Sequence, residues 1–320
     1  MTNRSRIFLA LGLFVVLALI AIAVIVLGVA LLSNAGISLG GDRIALLRIS
    51  GQIIDTRREV ELVRDYADDS SIRAIVVRVE SPGGAVGASQ ELYSELLRAR
   101  EMKPVIFSFG NVAASGGYYV ALAGDKIFAN PGTLTGSVGV LMTHLDTSGL
   151  LKDRLGLDFT DVTSGENKAL GSAWEPLSSD DRAMIEEMIG SIYQQFLGAV
   201  RDNRSDAIRT VLAEQIGDIQ PQDVPDAAVE AHLVSLCDGR PMTGQQALDS
   251  GFIDQLGTLQ DAIDEAALRA GISGEPTIEE WHAPRGLFGP VAESVADSVT
   301  AAVRDEFAVS APLRYQLRMP

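Results

Sequence analysis

The chain has 320 residues, 47% of them hydrophobic, with 42 acidic against 26 basic side chains and a formal net charge of −16. That acid excess argues against a nucleic-acid partner, which would need a basic footprint on phosphate. The single cysteine, Cys237, excludes an intrachain disulfide framework, and the scattered histidines His144, His232 and His282 show no zinc-ligand spacing.

In chain order, the first feature is an unbroken apolar run from Ile7 to Leu32, free of charge, amide and proline. As a helix its 26 residues span roughly 39 Å, more than the ~30 Å hydrocarbon core. It is too long for a secretory h-region, so the reading is an uncleaved single-pass anchor rather than a signal peptide. Arg4 and Arg6 precede it, and no charge follows between Ser33 and Gly41. The N-terminus is therefore expected in the cytoplasm and the body beyond residue 33 on the extracytoplasmic or periplasmic side of the cytoplasmic membrane. Residues 34–42 read as a flexible linker.

Strands are then expected over Arg43–Ile49, Ile72–Val79, Pro104–Phe109, Lys126–Ala129 and Asp158–Val162. Helical patterns cover Glu59–Tyr66, Val86–Arg100, Ser115–Ala123 and Ser179 to about Arg201. This alternation predicts βαβ crossovers and a mostly parallel sheet. After Ala270 the pattern loosens, leaving residues 271–320 as a tail without an assigned role.

Four polar, glycine-bearing junctions fall where an open α/β sheet places its site. They are Ser81-Pro-Gly-Gly84, Ala113-Ala-Ser-Gly-Gly-Tyr-Tyr119, Thr135-Gly-Ser-Val-Gly139 and Ser164-Gly-Glu-Asn-Lys168. Taken singly, each has a plain structural reading: a turn, an N-cap, a polar loop, a solvated lysine. Taken together they offer a serine nucleophile at a helix start, Ser115, with oxyanion-binding amides nearby. The base could be a histidine or a lysine. Only four lysines exist (Lys103, Lys126, Lys152 and Lys168), and His144 lies near the third junction. Order alone leaves a Ser-His-Asp triad open.

The ordered set resembles the signal peptide peptidase A family of membrane-anchored Ser-Lys proteases in its short, single-repeat form. Its pieces continue with Asp125-Lys-Ile-Phe128, Gly171-Ser172, Asp238-Gly-Arg240, Thr243-Gly-Gln-Gln-Ala247 and Gly251-Phe-Ile-Asp254, covering about Arg43 to Ile263. The resemblance implies an α/β fold of the Clp/crotonase superfold, with ββα repeats and a mostly parallel sheet flanked by helices. It implies Ser115 as nucleophile, Lys168 as general base, Gly84 and Gly116 as oxyanion hole, and Ser137 as the hydroxyl orienting the lysine. No cofactor or metal is implied. The expected partners are peptide substrates such as remnant signal peptides, the membrane through residues 7–32, and further copies in a homo-oligomer. Domains are expected as an anchor over 1–33, a linker, a protease domain over 43–270 and the tail.

Three other readings compete. A stomatin-associated membrane protease shares the Ser-Lys logic but carries extra spans after the protease domain, and none follows here. An acyl-CoA-handling crotonase uses similar oxyanion amides but belongs to cytoplasmic chemistry. A catalytically inactive interaction protein of the same fold would have no need for both Ser115 and Lys168.

Overall fold

The computed structural model describes residues 17–21, 42–217 and 219–281, and three apolar runs form the middle of its one sheet. These are β1 (Arg43–Ser50), β2 (Ile72–Ser81) and β3 (Val105–Ala114), paired in parallel. Strands covered on both faces read as continuous hydrophobic runs, and Ile75, Val76 and Val77 are accordingly all fully buried. The crossover helices α1 (Arg57–Asp68) and α2 (Val86–Met102) pack Val60, Val63, Leu92 and Leu96 against Leu47, Val77 and Phe107 on one face. The opposite face is covered at its amino-terminal half by α7 (Leu259–Arg269), whose Ala262, Ile263 and Ala266 meet Leu46, Val76 and Ile106.

β3 changes neighbours along its length. Ile106–Ser108 pair with β4 (Lys126–Ala129), whereas Val112–Ala114 pair with β5 (Leu134–Gly136). β6 (Pro241–Thr243) closes that edge antiparallel to β5, and β7 (Gln255–Leu256) extends β4. At the other edge β8 (Thr277–Glu280) pairs with β1, held by ion pairs from Arg43 to Glu279 and from Arg48 to Glu280. The sheet thus continues past residue 270 into the segment read as tail.

Two expectations are corrected. Asp158–Val162 is not a strand: it finds no ladder partner among the described residues and lies exposed. The long helix α4 (Ser179–Ile216) does not stop near Arg201 but continues fifteen residues further, to Ile216, and is capped by Gly217 at φ 72°. Beyond Arg201, Arg204 turns inward, 5% exposed, and donates to Gly251 O and Asp254. At its start α4 has a capping box, Ser178 with Asp181. Helices α5 (Asp226–Leu236) and α6 (Gly244–Asp249) complete the body.

Among the described residues no helix is long and apolar enough to cross a membrane. The candidate span 7–32 lies outside the described residues except for the helical 17–21, as do residues 282–320 of the tail.

Candidate active site

β3 ends at Ala114, and the six-residue helix α3 (Gly116–Ala121) begins two residues later. Ser115 makes the turn between them at φ 52°, ψ −120°, a conformation that favours glycine and costs a serine about 1–3 kcal/mol. The surroundings hold it there. Ser115 N–H donates to Gly136 O at 2.9 Å, tying the turn to the end of β5. Helix α3 is anchored by Tyr118, which stacks on Phe252 at 5.4 Å and donates its hydroxyl to Phe252 O at 2.8 Å. Gly117 lies so close to β2 that a Cβ there would sit 2.9 Å from Ser81 O.

The Pro82–Gly84 turn lies against this elbow. A Cβ on Gly83 would stand 2.7 Å from Gly116 N and 2.9 Å from Ser115 Cβ. Ile53 clasps the turn: its N–H donates to Gly83 O at 3.0 Å, and its carbonyl accepts from Ala85 N–H at 2.7 Å. In such a parallel bridge the residue opposite, Gly84, points its own N–H away from Ile53. Gly116 is the first residue of α3, so its N–H has no intrahelical acceptor. The two amides lie together, since a Cβ on Gly116 would be 3.2 Å from Gly84 N.

Ser115, Gly84, Gly116 and Ser137 all line one cavity of about 500 Å³. Val86, Tyr119, Val140, Leu141, Ile192 and Phe196 give it apolar wall, Gln52, Ser89 and Gln90 add polar groups, and Asp238 is the charged residue in its lining. The Arg240 guanidinium beside Asp238 holds that carboxyl down at about 2, so it is a carboxylate at any working pH. Ser137 follows β5 at φ 51°, donating its N–H to Arg240 O at 2.9 Å and its hydroxyl to Gly239 O at 3.2 Å. Cys237 is buried, and burial pushes its thiol up to about 12, which removes it as a nucleophile.

Lys168 is not brought to this cavity. It sits exposed in a short 3-10 turn, Glu166–Ala169, on an arm over residues 141–177 in which no residue is buried. His144 lies on the same arm and His232 on α5, and neither lines the cavity. His282 is outside the described residues. The structure therefore assembles four of the five expected site residues in one chain and leaves the fifth on the arm. Two contributors were not singled out from sequence as site residues: Ile53, which carries no signal, and the Asp238–Arg240 turn, whose Asp-Gly pair marks it. Among the described residues no cluster of acids, histidines or cysteine could hold a metal ion.

The family model that matches is Peptidase family S49, over residues 98–216, which contain both Ser115 and Lys168. A putative protease of Synechocystis is 34% identical over 72% of this chain and 75% of that one. A putative protease of Methanocaldococcus jannaschii is 28% identical over 89% of this chain and 90% of its own. A putative signal peptide peptidase of Enterococcus faecium is 31% identical over 68% of this chain and 57% of that protein.

Proposed function

The chain belongs to peptidase family S49 as a serine protease of the signal peptide peptidase A kind, and we propose that it cuts unfolded, apolar peptides, remnant signal peptides among them, with a Ser115–Lys168 dyad. The observation that carries this reading is the elbow at Ser115, which faces a cavity of mixed apolar and polar lining beside the amides of Gly84 and Gly116. The proposal includes the Clp/crotonase superfold, an N-terminal membrane anchor over residues 7–32 and an extracytoplasmic catalytic body.

In the proposed reaction the free amine of Lys168 takes the proton from Ser115 Oγ as that oxygen attacks the peptide carbonyl. The carbonyl oxygen becomes an oxyanion held by the Gly84 and Gly116 N–H groups, a contribution of about 2.7–4 kcal/mol per donor. The tetrahedral centre collapses, the C–N bond breaks, and the lysine ammonium passes its proton to the departing amine. Water then attacks the acyl-serine with Lys168 again as base, releasing the acid and restoring Ser115. Ser137 orients the lysine.

The exposed position of Lys168 supports a dyad completed between copies. The arm that carries it presents Leu141, Leu145, Leu155, Leu157, Phe159 and Val162 to solvent, which fits a surface that another copy covers. Enclosed there, the ammonium would lose hydration and the free amine would be favoured.

The test is peptide hydrolysis by the full chain, with Ser115→Ala and Lys168→Ala each expected to be inactive. Mixing the two variants as unfolded chains and refolding them together should restore about a quarter of wild-type activity if each site draws on two copies. No recovery would confine the dyad to one chain. Retained activity in either variant alone would refute the dyad.

A further inference from the structure

The β2–β3 ladder is interrupted. Pairing runs to Val79–Phe109 and resumes at Ser81–Ala113, so Glu80 alone stands opposite Gly110, Asn111 and Val112. This bulge lies where β3 exchanges β4 for β5 as its neighbour. A bulge leaves backbone groups without ladder partners, and buried ones must find others. Side chains supply them here. The Glu80 carboxylate accepts the Asn111 N–H on both oxygens, at 2.9 and 3.0 Å. The Thr133 hydroxyl donates to Gly110 O at 2.6 Å, and Arg78 Nη1 donates to Phe109 O at 2.9 Å. Gly110 makes the room: a Cβ there would lie 1.7 Å from Glu80 Oε2.

The two extra residues set where the nucleophile falls. A strand advances about 3.3 Å per residue, so they correspond to roughly 6–7 Å of chain. In an uninterrupted ladder Asn111 would face Ser81, and Ser115 would overshoot the Pro82–Gly84 turn by that length. With the bulge in place Ala113 faces Ser81, and Ser115 arrives beside Gly83. We propose that Glu80 is a positioning residue for hydrolysis: its carboxylate fixes the Gly110–Val112 bulge, and the bulge sets Ser115 against the two oxyanion amides. Glu80 does not line the cavity, so it acts through the backbone and not on substrate. The inference rests on the reading of Ser115 as nucleophile.

The experiment compares the full-length protein with Glu80→Ala, Glu80→Gln and Ser115→Ala by peptide hydrolysis, rate of fluorophosphonate labelling and thermal melting. Glutamine keeps an oxygen for the Asn111 N–H, whereas alanine does not. Glu80→Ala should lower kcat and the labelling rate about 10- to 100-fold, the cost of a misplaced reacting atom. Its KM should stay within about twofold, the split expected when transition-state geometry is lost rather than binding. Glu80→Gln should recover most of the loss. Gly110→Ala should act in the same direction, and added to Glu80→Ala it should cost less than the product of the two, because both break one contact. Wild-type kcat in Glu80→Ala would overturn the proposal, as would Glu80→Gln being as impaired as alanine, or a loss accounted for by a smaller folded fraction. If Ser115→Ala keeps turnover, the nucleophile reading fails. If Ser115→Ala is inactive while Glu80→Ala runs at full rate, only the positioning role fails.

Discussion

Ser115 and Ser137 occupy matching places on neighbouring parallel strands. Each directly follows one member of the Ala114–Gly136 pair, and each leaves its strand at positive φ, 52° and 51°. Among the described residues they are the non-glycine positions with that geometry. Both face the same cavity, and Ser115 N–H is fastened to Gly136 O, the carbonyl just before Ser137. Two strained serines side by side at the carboxyl ends of a parallel sheet are costly to hold. Their placement in one cavity is how strain is used at sites of chemistry.

That strain is measurable. Ser115→Gly should relieve it and raise unfolding stability by roughly 1 kcal/mol, after the extra chain entropy of glycine is subtracted. Ser115→Ala keeps the strained backbone and should melt close to wild type. Both should be inactive. Denaturant titration of the three proteins checks this, and a glycine variant less stable than the alanine one would contradict the strain argument.

Gly84 tests the oxyanion site from the other side. A Cβ there would stand 2.0 Å from Ile53 O, so alanine must push the turn off the Ile53 carbonyl. Gly84→Ala should therefore displace the donor amide and lower kcat by about a hundredfold or more. Fluorophosphonate labelling should slow in parallel, since it also develops negative charge on an oxygen at that position. Unchanged labelling would remove the Gly84 amide from the oxyanion hole.

Much of this arrangement was readable beforehand, because parallel strands buried on both faces write themselves as unbroken apolar runs. Ile72 to Val79 is one, and the SPGG and ASGG turns follow such runs directly. What sequence could not show was where a strand changes partner. Gly110 to Ala114 reads as a loop leading to a serine, yet it is paired strand, because β5 is only three residues long and supplies no pattern of its own. Asp158–Val162 failed in reverse: Phe159, Thr160 and Val162 are strand-favouring residues, but no described strand lies beside them to complete a ladder. The helix past Arg201 was missed for a third reason, since an arginine such as Arg204 in a charged run gives no sign of the Asp254 carboxylate fifty residues later.

Arg204 supports a stability prediction. It is 5% exposed and donates to both oxygens of Asp254 at 3.0 Å, while Asp254 also accepts Ile127 N–H at 2.7 Å. Removing one member of a buried pair leaves the other charge without its partner, which costs about 3–5 kcal/mol. Arg204→Leu should lose an amount near the lower end, because the Asp254 side chain is 26% exposed and can still reach water. Urea unfolding measures it. A loss below about 1 kcal/mol, the scale of a surface pair, would show that the pair is solvated in practice.

A lysine base works only as the free amine, so the sign of the pH dependence is fixed. Raising pH removes the ammonium proton, and kcat/KM should climb before levelling once the base is fully deprotonated. Active-site titration at each pH separates this from unfolding. A rate that does not rise with pH would contradict Lys168 as base, and a Lys168→Ala variant that stays active would make His144 the next residue to substitute.

The arm over residues 141–177 supports the last prediction. Val162 is 97% exposed, Leu141 84%, Leu145 68% and Leu155 58%, with Leu157, Phe159 and Trp174 also open to solvent. Fully covering a side chain of this kind contributes about 1.5–3 kcal/mol, so several together can supply the association energy of a stable interface. The same arm carries Lys168, so covering it and completing the dyad are one event in the proposed assembly. Val162→Asp together with Leu155→Asp should weaken association without touching the sheet, because neither side chain is buried in the chain. Sedimentation velocity on the full-length protein in detergent should show wild type as an oligomer and the double variant shifted toward monomer. Peptide hydrolysis should fall with the oligomer fraction and recover at higher protein concentration. A wild-type protein that sediments as a fully active monomer would separate the arm from catalysis and require Lys168 to reach Ser115 within its own chain.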